Sequence, residues 1–150
     1  MRHWNSIEEA LAIAIAEEQA AADFYHRLAK QAELPGMKGV FEEFAQEEMN
    51  HKARLEAVRA GGGFLVPAQK IVDLRIADYL ADVTPDPRLN YREVLILAMK
   101  KEKAAFVLYS ELAERATDEN LKSVFRALAE EEARHKLRFE IEYDDLMTDN

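Results

Sequence analysis

The sequence predicts an all-α fold of four long helices, built as two copies of one helical hairpin with a long crossover between the second and third helices. Three observations carry this expectation: a composition of helix formers, breakers that are few and clustered, and an internal repeat. Ala, Glu, Leu, Lys and Arg supply more than half of the 150 residues, as in proteins made mostly of long helices. The breakers gather at Pro35-Gly36, at Gly61-Gly62-Gly63 with Pro67, and at Pro85 and Pro87, where they separate helical stretches. Shifting residues 7–55 by 84 positions lays them on 91–139 without a gap, and 19 of the 49 positions are then identical. The coincident pairs include Glu18/Glu102, Tyr25/Tyr109, Phe41/Phe125, Glu48/Glu132 and His51/His135. Two copies of one hairpin imply pseudo-two-fold symmetry in whatever site they build.

The helices follow in order at roughly 6–32, 37–60, 90–116 and 118–146. Ser6-Ile7-Glu8-Glu9 reads as a capping box that starts the first, and Asn90-Tyr91-Arg92-Glu93 starts the third with Asn as the cap and Glu three residues on. Pro35-Gly36 separates the first helix from the second, and the glycine run closes the second. Short links make antiparallel neighbours, whereas the long 61–89 connection can cross the length of a bundle. Within it, Ile71 to Leu80 fits a short helix or an extended segment, and the sequence assigns the crossover no role. A chain of this length is expected to form a single domain over 1–150 with a real core.

Composition removes several function classes. With 20 Lys+Arg against 29 Asp+Glu the formal charge is −9, and the pI is near 5.0, so nucleic acid is not the expected partner. The absence of Cys removes disulfides, thiolate zinc, iron–sulfur clusters and thiol nucleophiles, leaving only oxygen and nitrogen for any metal. Charged residues, 33% of the chain, are too interspersed for a membrane span. Met1-Arg2-His3-Trp4-Asn5 leads into an amphipathic helix with no apolar h-region, so a cytoplasmic location is expected.

The polar residues that occupy core positions are more informative. At alternating spacings of three and four, the helix seams run Leu11, Ala14, Glu18, Ala21, Tyr25, Leu28; Phe41, Phe44, Glu48, His51, Leu55, Val58; Leu95, Ala98, Glu102, Ala105, Tyr109, Leu112; and Phe125, Leu128, Glu132, His135, Phe139, ending near Tyr143. Each apolar stripe therefore carries an ionisable group near mid-helix. Four carboxylates in a core would repel one another and lose hydration, at a cost of several kcal/mol per ion. Protonation could relieve this. Two divalent cations do it better, because their charge cancels four carboxylates while two neutral imidazoles add nitrogen ligands.

In Glu48-Met49-Asn50-His51 and Glu132-Ala133-Arg134-His135 the acid and the imidazole lie three apart on one face, within reach of the same ion. Ala21 and Ala105, one turn on from Glu18 and Glu102, leave volume beside the carboxylates. Glu17, Glu47 and Glu131 lie about 100° off the seam and are expected to be solvated; the repeat matches Glu17 with Lys101. His26, which aligns with Ser110, and His3 read as bystanders. Tyr25 and Tyr109, two turns beyond the seam glutamates, are either core aromatics or groups whose hydroxyls orient a ligand carboxylate.

This set resembles the ferritin-like di-iron and di-manganese carboxylate bundles, in which two helices give one Glu each and two give Glu-x-x-His. Within that superfamily the chain is most similar to rubrerythrins, through the segments Glu18 to Tyr25, Phe44 to His51 and Leu128 to His135. The resemblance implies that Glu18 and His51 bind one metal terminally, Glu102 and His135 the other, and that Glu48 and Glu132 bridge. It further implies a ferritin-like bundle, two iron ions per chain with manganese, cobalt or zinc as substitutes, and a homodimer. Two departures bear on function: a Cys-free chain lacks the rubredoxin domain of full-length rubrerythrins, and Ala105 stands where rubrerythrins tend to carry an extra carboxylate.

The expected function is a non-haem di-iron oxidoreductase that reduces hydrogen peroxide or dioxygen with electrons from an external donor, such as a rubredoxin-type protein. Ferroxidase or iron handling uses the same ligands, and a non-catalytic metal-binding bundle is the remaining alternative.

Overall fold

The computed structural model of the chain describes residues 4–32, 35–60, 70–74, 90–116 and 118–148. In order these form β1 (Trp4–Ser6), α1 (Ile7–Gln31), α2 (Pro35–Ala60), β2 (Lys70–Leu74), α3 (Tyr91–Arg115) and α4 (Glu119–Thr148). The four helices fall where periodicity and breakers place them. They are distributed over two compact units, one holding β1, α1 and α2 and the other α3 and α4.

Local chemistry accounts for the helix ends. Glu8 and Glu9 in the first turn of α1 and Lys30 in its last turn complement the helix dipole. Pro35 opens α2; its fixed φ and missing N–H suit the first helical position, so Pro35-Gly36 begins the second helix two residues before the expected start. Asn90 caps α3, accepting from the Glu93 amide at 2.8 Å while the Glu93 carboxylate accepts from the Asn90 amide at 3.1 Å. Asp118 caps α4 by accepting from the amides of Asn120 at 2.7 Å and Leu121 at 3.4 Å.

The strands depart from the sequence reading. β1 and β2 pair in a two-stranded sheet, so the chain enters α1 from an extended segment. The extended alternative holds for Ile71–Leu74, while residues 75–80 lie outside the described residues. The Ser6 capping box rests on side chains that also lie outside them, as do His3, the glycine run and Pro67, Pro85 and Pro87.

Inside each hairpin the side-chain pairings establish antiparallel packing, because partners rise on one helix as they fall on the other. In the first, Tyr25 stacks on Phe41 with centroids 6.4 Å apart and planes 9° apart and meets Phe44 edge-on at 6.0 Å. In the second, Tyr109 stacks on Phe125 at 6.3 Å and 19°. Near the ends of that hairpin Tyr91 donates to Glu142 at 3.2 Å, and Arg92 donates to the Tyr143 hydroxyl at 3.3 Å. Burial first, and the Glu142 carboxylate second, hold the Tyr91 phenol well above its ordinary range, so it remains a donor. The seam residues from Leu11 to Leu28 on α1 and from Leu95 to Leu112 on α3 are buried, apart from Ala105, which is half-buried. None of the described helices is long and apolar enough to cross a membrane.

Replacing a capping side chain strands a helix amide, so Asn90→Ala and Asp118→Ala should each lower stability by about 1 kcal/mol. Urea unfolding at fixed metal load measures this. Unchanged midpoints for both would show that the caps are not what holds these helix ends.

Candidate metal centre

Each hairpin gathers one carboxylate from its first helix and a Glu-x-x-His pair from its second. In the α1–α2 hairpin, His51 Nδ1 lies 3.2 Å from Glu18 Oε2 and 3.3 Å from Glu48 Oε1. In the α3–α4 hairpin, His135 Nδ1 lies 3.6 Å from Glu102 Oε2 and 3.5 Å from Glu132 Oε1. In each triad one ligand atom per residue lies within 4.8 Å of the other two. All six residues are at most 3% exposed. The i,i+3 spacing puts acid and imidazole on one face of one turn, and antiparallel packing brings the glutamate of the partner helix to the same level.

The arithmetic of charge decides what such a triad can hold. Two carboxylates face one imidazole, so even a protonated histidine leaves a net negative charge, and its single Nδ1–H serves one carboxylate at a time. A divalent cation cancels both carboxylates and leaves the imidazole neutral. The spacing fits as well: ligand atoms about 2.1 Å from a common ion at tetrahedral or octahedral angles are about 3.0–3.4 Å apart. The two His51–carboxylate distances lie within that range and the two His135–carboxylate distances just outside it. Hard oxygen with borderline nitrogen, and no sulfur, is a donor set for iron, manganese or zinc.

The surroundings agree with the sequence reading in part. Ala21 is buried and Ala105 half-buried, and His26 is exposed. Glu17, Glu47 and Glu131 were expected in solvent but are half-buried, because 100° from the seam is the flank of a packed helix and not its far side. Lys101, the repeat partner of Glu17, is buried. Tyr25 and Tyr109 are fully buried within aromatic contacts.

One contact at the site escaped the seam analysis. Lys52, next to His51, donates to Gln19, next to Glu18, at 2.8 Å, tying α1 to α2 at the level of the ligands. The only sequence signal is that Lys52 and Lys136 coincide in the repeat. Lys136 has no equivalent acceptor, since Lys103 stands at the Gln19 position, and it pairs instead with Glu140 at 3.2 Å.

The rubrerythrin family model matches residues 9–63 and 93–150, and the chain belongs to the rubrerythrin family. Among solved structures it is similar to a candidate ferritin-like diiron-carboxylate protein from Thermotoga maritima, at 20% identity and a TM-score of 0.83, covering 97% of this chain and 99% of that one. It is also similar to a hypothetical protein from Pyrococcus furiosus, at 27% identity and a TM-score of 0.74, covering 95% and 91%. No curated protein sequence matches it. The fold is therefore the ferritin-like four-helix fold of the diiron-carboxylate proteins, with buried Glu and His groups able to bind metal.

Lys52→Met removes the interhelical bond beside the ligands and should cost about 1 kcal/mol in chemical unfolding. Lys136→Met loses only a partly exposed intrahelical pair and should change stability by no more than about 0.5 kcal/mol. Equal effects would show that the Lys52–Gln19 contact does not tie the helices together.

Proposed function

We propose that this protein is a two-metal oxidoreductase that reduces hydrogen peroxide or dioxygen at a Glu₄His₂ centre, using two iron ions per chain and electrons from an external donor such as a rubredoxin-type protein. The observation that carries the reading is the pair of buried triads, each with two carboxylates for one imidazole. Family membership supports it: by resemblance Glu18 with His51 and Glu102 with His135 are terminal ligands, and Glu48 and Glu132 are shared between the ions.

When bound, a pair of ferrous ions held by Glu18, Glu48, His51, Glu102, Glu132 and His135 would supply the two electrons that reductive cleavage of an O–O bond requires. The rest of the work falls to the chain. The four carboxylates would hold the cations by charge, and the two imidazoles would add nitrogen donors through Nδ1, the ring atom that faces the carboxylates. Ala21 and Ala105, one turn on from Glu18 and Glu102, put only a methyl group beside these carboxylates. Tyr25 and Tyr109 act as positioning residues, their hydroxyls fixing the orientation of a ligand carboxylate. In this reading electrons reach the centre from a separate carrier. Manganese or zinc would occupy the same donors but, for zinc, without redox chemistry.

Anaerobic loading with ferrous iron should give about two irons per chain, which peroxide oxidises far faster than iron in buffer, with repeated turnover when a reductant is supplied. Iron oxidised once and then retained as a growing mineral would assign the centre to iron storage instead. Metal bound without any such reaction would leave a structural bundle. Glu48→Ala should lose both ions and Glu18→Ala mainly one; equal occupancy in the two variants contradicts the shared-ligand assignment. Tyr25→Phe should keep the iron and lower kcat by roughly tenfold at unchanged KM; an unchanged kcat would make Tyr25 a core residue only.

A further inference from the structure

The exposed face of α4 carries large apolar side chains that its own hairpin does not cover. Leu137 is 55% exposed and Ile141 48%. With Arg134 and Asp144, both exposed, they form a stripe at spacings of three, four and three, which is the seam of a two-helix coiled coil. It lies on the opposite side of α4 from the buried Phe139.

The internal repeat supplies a control. The same positions of α2 are Asn50, Ala53, Ala57 and Ala60, all exposed, so the hairpin fold itself asks only for small residues on this face. The order of charge along α4 indicates what the stripe meets. Arg134, Lys136 and Arg138 precede Glu140, Glu142 and Asp144, so the segment is basic in its first half and acidic in its second. A parallel copy would set like charge against like. An antiparallel copy, related by a two-fold axis at the level of Phe139, sets Leu137 against Ile141 of the other chain, Arg134 against Asp144, and Arg138 against Glu140.

We infer that this face is an interface between two copies of the chain, made by antiparallel pairing of α4 about Leu137 and Ile141 and keyed by Arg134 and Asp144. A two-fold interface must be self-complementary, and here the apolar pair and the charge order both are. The inference is independent of metal content.

Light scattering of the purified full-length protein at micromolar concentration should give a dimer. Ile141→Glu, at an exposed position, should weaken it by about a hundredfold or more while the far-UV spectrum stays unchanged and the melting temperature loses its dependence on protein concentration. Arg134→Asp and Asp144→Arg should each weaken it roughly tenfold, and the double variant should restore it. Because the native chain has no Cys, Leu137→Cys protein mixed with Ile141→Cys protein should form the mixed disulfide dimer in preference to either homodimer. A monomer at these concentrations overturns the inference. So does a dimer indifferent to Ile141→Glu, or one in which the charge swap fails to rescue or the two homodimers form first.

Discussion

Buried negative charge is the constraint on which the structure turns. Glu18, Glu48, Glu102 and Glu132 are each almost completely removed from solvent, and a carboxylate in such surroundings costs several kcal/mol unless something opposes it. The two histidines of the triads can oppose at most half of that charge, and a pair of divalent cations could oppose all of it. The rest of the design follows from this imbalance. The triads sit at mid-helix, where antiparallel packing holds the glutamate of one helix level with the Glu-x-x-His of the next. Packed Tyr and Phe rings lie farther along each seam and keep that register.

The two hairpins share a plan but differ in detail. The first holds its triad more tightly, at 3.2 and 3.3 Å against 3.6 and 3.5 Å, and adds the Lys52–Gln19 bond between its helices. The second instead ties its ends together through Tyr91 to Glu142 and Arg92 to Tyr143. The second also carries large apolar residues on the exposed face of α4, where the first has alanine. The two copies of the repeat thus agree in the ligands and differ in what surrounds them.

Much of this is legible in one sequence because periodicity and repetition are local signals. A glutamate in an apolar seam is conspicuous once, and decisive when it recurs 84 residues later with its histidine. The helix boundaries could be read from Asn90 and the proline and glycine clusters for the same reason. Other features were not readable. The pairing of Trp4–Ser6 with Lys70–Leu74 joins two very short segments far apart in sequence, and neither has an alternation long enough to announce a strand. Lys52 meets Gln19 across a helix interface, where no spacing rule distinguishes a bonded lysine from a solvated one. The half-burial of Glu17, Glu47 and Glu131 depends on how closely neighbouring helices pack, which angular position on one helix does not reveal.

The central claim is that cations hold these opposing side chains together in a dry interior. An anomalous-difference map from crystals of anaerobically iron-loaded protein, collected at the iron absorption edge, tests it directly. The account predicts two peaks per chain, one within about 2.3 Å of ligand atoms from Glu18, Glu48 and His51, and the other equally close to Glu102, Glu132 and His135. Iron-replete crystals with no peak at these residues, or with iron bound only to surface carboxylates, would contradict it.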